Sequence, residues 1–135
     1  MKSLKFFIVT ASFVVLYSSC TKEHIPAKLS GKWQIQEIYN GYADGGDFQW
    51  SVVPEQYRDY IEFQQDSVYV VTLSPSSGSL KCFGSYKIIN DHLISFKNDC
   101  QNSPSELPVD LTNESLNITY RVIEGQIIKK YIRVQ

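Results

Sequence analysis

Short runs of alternating apolar and polar residues constrain the fold of this chain most strongly. In residues 116–122, apolar side chains occupy every second position, and Asn117, Thr119 and Arg121 fall between them. A period of two places one side of a strand against a core and the other against water. About eight such runs are separated by turn signals; they are residues 32–39, 57–63, 68–73, 80–89, 93–97, 107–112, 116–123 and 126–134. This spacing predicts an all-β sandwich or barrel.

The connections between these runs favour a barrel over a sandwich. Most of them are short, and Glu124-Gly125 between the last two runs is a hairpin signal. Short connections in chain order are typical of a meander, and eight sequential strands can close on themselves and so remove exposed edges. We therefore predict an antiparallel up-and-down β-barrel of about eight strands.

The first 19 residues have the composition of an export signal rather than of a folded element. Lys2 and Lys5 precede an apolar run at residues 6–16, and small residues lead to Cys20. This order is that of a secretory signal, and the run is short for a membrane span, which needs roughly 20 apolar residues. We assign residues 1–19 to a signal peptide, 20–28 to a polar tether and 29–135 to the barrel domain.

The end of this segment, Leu-Tyr-Ser-Ser-Cys at residues 16–20, resembles a bacterial lipobox. The resemblance implies cleavage before Cys20 and diacylation of its sulfur, and two or more acyl chains anchor a protein stably. Thr21 follows the cysteine where an aspartate would indicate inner-membrane retention, so we expect lipid anchoring in the outer membrane of the cell envelope, on either side. The alternative is an ordinary secreted protein in which Cys20 is free.

The net charge argues against nucleic acid as a partner. Cleavage before Cys20 removes Lys2 and Lys5 and leaves 11 basic side chains (13 less 2) against 14 acidic ones. A surface of this charge has no polybasic patch for a phosphate backbone.

Two cysteines remain after Cys20, and we predict that they form a disulfide. An exported compartment permits the bond, and two thiols in a small domain make one bridge, Cys82–Cys100, the natural interpretation. A zinc site needs about four ligands, and His24 and His92 are the only histidines in the chain. We therefore predict neither a metal nor a cofactor.

Two sequence motifs resemble those of the lipocalin family. Gly31-Lys32-Trp33, at the start of the first run, is similar to the G-x-W signature of lipocalins. Residues 83–88, Phe-Gly-Ser-Tyr-Lys-Ile, look like the central strand of bacterial lipocalin-like lipoproteins. The resemblance covers residues 29–134 and implies a lipocalin-like barrel behind a lipobox, although the chain is shorter than secreted lipocalins and no helix is evident after the last run.

The same resemblance implies structural roles for three residues. In lipocalins the tryptophan packs across the barrel floor, and a basic side chain near the last strand lies against its ring. Gly31, Trp33 and Arg133 match these positions, with Arg121 as the second choice for the basic residue. A guanidinium over an indole contributes about 0.5–2 kcal/mol, so we interpret these residues as structural.

The sequence contains no arrangement that predicts catalysis. A nucleophile needs an oriented base beside it, and His92 lies in a predicted hairpin turn where we expect it to be exposed. Neither a glycine-rich phosphate loop nor an HExxH motif occurs. We predict that the protein is not an enzyme.

The first long connection is one candidate binding surface. Residues 39–60 contain six aromatic residues, and the segment 40–50 is rich in turn residues and too irregular for a strand. Long loops in compact domains are often functional, so Tyr42, Phe48 and Trp50 are candidates for a lid beside the barrel entrance. The alternative is that the aromatic residues of this region belong to strands and fill the core.

The last strand is the second candidate. Lys129, Tyr131 and Arg133 alternate along it. If this side points inward, a cation and a phenol grip an anionic head group, as in the related fatty-acid-binding barrels. The opposite side, with Ile128 and Ile132, looks at least as typical of a core, so an outward and solvated position is the favoured one for Lys129.

These observations lead to two hypotheses of different classes. In the first, a membrane-tethered barrel binds a small apolar or amphipathic molecule in its interior. In the second, the barrel is filled and its aromatic first loop contacts another envelope protein. A continuous interior void of a few hundred Å³ favours the first, and a packed interior favours the second.

Overall fold

The computed structural model describes residues 29–74 and 78–134. The predicted signal segment 1–19, the tether 20–28 and the acylation site Cys20 lie outside these residues, so their assignments stay predictions. In the part of the chain that is described, no helix is long and apolar enough to cross a membrane.

The described residues form nine β-strands and one short 3-10 turn. The strands are β1 Gly31–Tyr42, β2 Trp50–Val52, β3 Tyr60–Phe63, β4 Ser67–Ser74, β5 Gly78–Asn90, β6 Leu93–Asn98, β7 Ser105–Leu111, β8 Ser115–Val122 and β9 Gly125–Val134, and the 3-10 turn is Glu55–Tyr57. Every pairing between neighbouring strands is antiparallel.

The strands close into an up-and-down barrel. β1 pairs with β3, each strand from β3 to β8 pairs with its successor, and β9 returns to pair with β1. Eight strands therefore form the closed wall, and the short β2 is an additional strand along the second half of β1. The predicted all-β, eight-stranded antiparallel barrel is confirmed.

The antiparallel order gives the barrel two distinct ends. At the end where β1 begins, which we call the closed end, the connections are residues 64–66, 91–92 and 112–114. At the opposite end, which we call the open end, they include residues 43–59, 99–104 and 123–124. The described chain therefore enters the barrel at the closed end, through Leu29.

A continuous apolar core fills the barrel from the closed end. It is built from inward side chains of seven strands together with the residue that precedes β1; these are Leu29, Trp33, Ile35, Ile61, Phe63, Val68, Ile94, Phe96, Leu107, Val109, Leu116, Ile118 and Tyr131. Burial of a single large apolar side chain stabilises a fold by about 1.5–3 kcal/mol. This core stabilises the barrel and occupies its interior near the closed end.

The first two barrel strands differ from the sequence-based prediction. β1 continues to Tyr42, although residues 40–50 were predicted to be too irregular for a strand, and Trp50 begins β2. The reason is pairing between distant segments, because Asn40 and Tyr42 lie opposite Ile127 and Gly125 of β9. The second run was predicted to begin at residue 57, whereas the residues before 60 form the 3-10 turn and an extended segment.

A bulge in β1 opens the wall and positions the segment before β3. β1 pairs with β3 only as far as Gln34, and its register with β9 shifts between Ile35 and Glu37. The segment 53–59 occupies the space between the diverging strands: the Ile35 N–H donates to the Asp59 carbonyl at 2.9 Å, and the Val53 N–H donates to the Gln36 carbonyl at 2.8 Å. Val53 packs against the core, and Asp59 is held at the inner side of the wall.

The predicted Cys82–Cys100 disulfide is confirmed. It joins the middle of β5 to the connection between β6 and β7, with Cα atoms 5.7 Å apart. Cys82 is buried and Cys100 is exposed, and the Cys100 N–H donates to the Asn98 side-chain oxygen at 2.9 Å. The bond fixes one connection of the open end to the barrel wall.

Candidate functional site at the open end of the barrel

Trp33 fills the floor of the barrel at the closed end. Its ring is fully buried, and the indole N–H donates to the Leu29 carbonyl at 2.8 Å. The guanidinium carbon of Arg133 lies 4.2 Å from the ring centroid, and Arg133 Nη1 donates to the Ser30 carbonyl at 2.6 Å. Among the described residues this arrangement closes one end of the barrel.

Gly31 adjoins the floor in a backbone conformation that favours glycine. Its φ of +119° lies in a region that L side chains rarely adopt, and a Cβ atom would stand 2.8 Å from Nη1 of Arg133. Arg133 of the predicted floor therefore lies against Trp33 and beside Gly31. Arg121, the second choice for the basic residue, is exposed and lies at the open end.

The inward side of β9 differs from the favoured prediction. Tyr131 is only 2 % exposed and belongs to the core, so Lys129 and Arg133, two positions to either side, also face inward. The outward position favoured for Lys129 is wrong. Contact between Arg133 and Trp33 fixes the side, because residues two apart in a strand share a face.

Lys129 belongs to a polar cluster between the core and the open end. Its Nζ lies 3.8 Å from Oδ2 of Asp59, with side chains 29 % and 14 % exposed. The same ammonium lies 5.5 Å from the ring centroid of Tyr120 on β8. Asp59 precedes Ile61 by two positions and Tyr120 follows Ile118 by two, so all three groups share the barrel interior with buried core residues.

The two tyrosines of this region are neutral at physiological pH. Burial raises the pKa of Tyr131 well above its usual value of 10.0. Electrostatic and hydrogen-bond interactions with Tyr120 raise this pKa further, and so does the Asp59 carboxylate. Burial also raises the pKa of Tyr120, although its hydrogen bond with Tyr131 acts in the opposite direction. The cluster therefore offers phenol hydroxyls, an ammonium and a carboxylate in one place.

Two apolar side chains flank the polar cluster, Ile38 opposite Lys129 and Ile127 opposite Tyr120. Together they form what we call the mouth, defined as the inward residues Ile38, Asp59, Tyr120, Ile127 and Lys129. The mouth continues outward into an open depression of about 930 Å³, lined by Tyr42, Asp44, Arg121, Val122, Ile123, Glu124 and Ile127. The volume is within the range of small-molecule sites, roughly 300–1,000 Å³.

The three residues predicted for a lid occupy different places. Tyr42 lines the depression at the open end. Trp50 is 46 % exposed, and its ring centroid lies 5.6 Å from that of Tyr39. Both rings are on the outer side of the wall, because Tyr39 lies opposite the outward Ile128. Phe48 is 59 % exposed. Tyr42 therefore adjoins the mouth and Trp50 does not; a role for any of them in binding stays a prediction.

The sequence-based interpretation missed Asp59 and Tyr120 as members of the site. A signal for both was present, since Tyr120 alternates with Leu116 and Ile118, and Asp59 alternates with Ile61. What alternation cannot give is their proximity, which depends on the bulge in β1 and on closure of the barrel. His92, predicted to be idle, is exposed in the turn between β5 and β6 at the closed end.

Solved structures of two bacterial proteins share this architecture. One, described as a lipocalin-like protein from Bacteroides uniformis ATCC 8492, superposes with a TM-score of 0.58 at 24 % identity over 79 % of this chain and 99 % of its own. The fold is lipocalin-like. An uncharacterized protein from Bacteroides eggerthii DSM 20697 gives a TM-score of 0.56 at 20 % identity over 78 % of this chain and 99 % of its own. No protein-family model and no curated protein matches the sequence, and at these identities the likeness extends to the fold alone.

Proposed function

We propose that this lipocalin-like barrel is a binding protein that holds a small apolar or amphipathic molecule at its open end. One observation carries the proposal: half-buried polar groups, Lys129, Asp59 and Tyr120, face the interior directly above a filled apolar core. Buried ion pairs are weak evidence for stability, and convergent polar groups at the base of an apolar opening are typical of ligand sites.

The packed core determines how a ligand would lie. Because the core fills the barrel from the closed end, a bound molecule occupies the mouth and the open depression rather than the whole interior. Its polar head would meet Lys129 and Tyr120, and its apolar part would pack against Ile38 and Ile127 and extend toward the rim. This is a shallower site than the interior pocket predicted from the sequence.

The proposed role is non-catalytic. The mouth contains a carboxylate, an ammonium and a phenol, but the carboxylate lies beside the ammonium rather than beside a nucleophile. His92, the histidine of the described residues, lies at the other end of the barrel. Binding without chemistry is the simplest use of such a set of groups.

A neutral fluorescent probe tests the proposal. N-phenyl-1-naphthylamine should increase in fluorescence with wild-type protein, and Ile127→Trp should weaken binding at least tenfold because the larger ring fills the mouth. Ile128→Trp is the matched control, since the neighbouring residue lies on the outer side of the same strand. Equal weakening by the two variants, or a wild-type protein that does not bind the probe, would reject the proposal.

We further propose that Cys20 is acylated and that the protein is held in the outer membrane, as the lipobox resemblance implies. Two acyl chains on Cys20 would give a stable anchor. The proposed binding function does not depend on the anchor, because the mouth is formed entirely by residues of the barrel.

A second candidate function is contact with an envelope protein. Trp50 and Val52 on β2 are 46 % and 68 % exposed on the outer side of the wall, and exposed aromatic and aliphatic side chains are common at interfaces. Photocrosslinking from position 52 in cells tests this role. A crosslinked band that is lost in Trp50→Ala would support it, and the absence of any band would reject it.

A further inference from the structure

The charges of the mouth specify which amphipathic molecules it accepts. We infer that the mouth selects uncharged molecules whose polar head both donates and accepts hydrogen bonds, such as a long-chain alcohol or amide, and discriminates against carboxylates. The inference rests on the proposed function and reverses the anionic head group that the sequence suggested for Lys129 and Tyr131.

The first argument is the pairing of Lys129. Its ammonium lies 3.8 Å from the Asp59 carboxylate, so the cation that would attract an anionic head already has a counter-charge inside the barrel. A ligand carboxylate that approached Lys129 would also approach Asp59, and like charges at such distances repel more strongly in a partly buried site than in water. The bulge in β1 and the hydrogen bond from Ile35 to the Asp59 backbone hold the carboxylate in this position.

The second argument is the rim of the open depression. It carries the carboxylates of Asp44 and Glu124 and the guanidinium of Arg121. Together with the inner pair, an entering molecule meets three carboxylates and two cations. Among these residues acidic groups outnumber basic ones by one, a balance that disfavours an anion during entry as well as in the bound state.

The third argument is the hydrogen-bonding capacity of the inner groups. Lys129 offers donors, the Asp59 carboxylate accepts, and the hydroxyl of Tyr120, which already shares a hydrogen bond with Tyr131, has capacity for a further one. An alcohol or amide head can satisfy a donor and an acceptor at once, whereas a carboxylate only accepts. An uncharged head also avoids the cost of removing an ion from water.

Competition between two ligands with the same tail tests the inference. 1-Decanol and decanoate are titrated against N-phenyl-1-naphthylamine bound to the full barrel domain at pH 8, where decanoate is ionised. We expect wild-type protein to bind 1-decanol about tenfold more tightly than decanoate, which is the size of effect expected from one partly exposed charge. Asp59→Asn should remove most of that preference.

The controls are a variant that removes the positive partner of the inner pair instead of the negative one, and variants of a second ion pair outside the mouth. Lys129→Met removes the ammonium that lies beside Asp59 and should widen the preference for 1-decanol. Glu37 and Lys130 form a similar pair, 2.7 Å apart, on the outer side of the wall. Glu37→Gln and Lys130→Met should therefore leave the ratio of the two affinities unchanged, which separates an effect of the mouth from an effect of net charge.

The outcomes separate this inference from the proposed function. If both ligands displace the probe but decanoate binds as tightly as 1-decanol, the inference is wrong and the proposed function stands. The inference is equally wrong if folded Asp59→Asn keeps the wild-type ratio. If neither ligand displaces the probe and the probe itself does not bind, the proposed function and the inference both fall. Should Asp59→Asn not fold, the wild-type ratio and the Lys129→Met ratio decide the question.

Discussion

At the scale of single residues, the floor of the barrel depends on groups that are distant in sequence. The indole of Trp33 donates to a carbonyl four residues earlier, and the guanidinium that covers it comes from Arg133 on the last strand. The same guanidinium donates to Ser30, and its Nη1 lies 2.8 Å from where a Cβ on residue 31 would be. One side chain therefore links the two ends of the barrel sheet.

We expect Trp33→Ala to lower the free energy of unfolding by about 3–5 kcal/mol, because it removes a fully buried aromatic side chain from a packed floor. Arg133→Ala should also destabilise, and the two effects should be non-additive because the residues are in contact. Denaturant melts of wild type, the two single variants and the double variant measure the coupling.

Trp50→Ala is the control for this cycle. Its ring is 46 % exposed and lies on the outer side of the wall, so it should cost much less than Trp33→Ala. A Trp33→Ala protein as stable as wild type, or strictly additive effects of Trp33 and Arg133, would contradict the structural role of the floor.

Two of the sequence-based expectations at this scale could not both be right. If Arg133 lies over the inward Trp33, Tyr131 and Lys129 must face inward as well, since residues two apart share a side of the strand. The outward position favoured for Lys129 followed from the apolar character of the opposite side, with Ile128 and Ile132. The pairing partner that makes an inward lysine tolerable, Asp59, lies in a segment whose position the sequence does not reveal.

At the scale of strands, alternation predicted the elements well and their ends less well. The runs from residue 68 onward match β4 to β9 closely, because each is paired along most of its length to its neighbour in sequence. The exceptions are β1, which continues to Tyr42 through pairing with β9, and β2, which is three residues long and forms only because β1 offers it an edge. Pairing between distant strands overrides local turn propensity there.

The disulfide between β5 and the connection from β6 to β7 makes a contribution to the free energy of unfolding that can be measured directly. It closes a loop between residues 18 apart in sequence, and in the chain-entropy model a loop of this size stabilises the fold by about 3 kcal/mol. We expect reduction to lower the denaturant midpoint accordingly, and Cys82→Ala/Cys100→Ala to melt like the reduced wild type with or without reductant.

Alkylation provides the independent check on the bond. Both thiols should be unreactive in denatured, non-reduced protein and reactive after reduction. A freely reactive thiol before reduction would show that the bond does not form in the purified protein. A double variant as stable as the oxidised wild type would instead show that the bond contributes nothing to stability.

At the scale of the whole molecule, the prediction that lies outside the described residues is lipid attachment. We expect metabolic labelling with a tagged fatty acid to mark the wild-type protein and not Cys20→Ser, because the Cys20 sulfur is the proposed attachment site. Cys100→Ser is a suitable control, since it changes a cysteine of the barrel domain. Labelling of Cys20→Ser at the wild-type level would contradict the anchor.

The entry of the chain at the closed end determines the orientation of an anchored barrel. The nine residues 20–28 reach at most about 30 Å when fully extended. The 12 residues of β1, tilted as barrel strands are, raise the wall by a similar distance, roughly 30 Å. With Cys20 acylated, the closed end is the end tied to the bilayer, and only a fully stretched tether lets the mouth face the same bilayer end-on. A molecule bound there would arrive from the aqueous compartment or from a facing surface, and extraction from the anchoring leaflet would require the barrel to invert on a fully stretched tether.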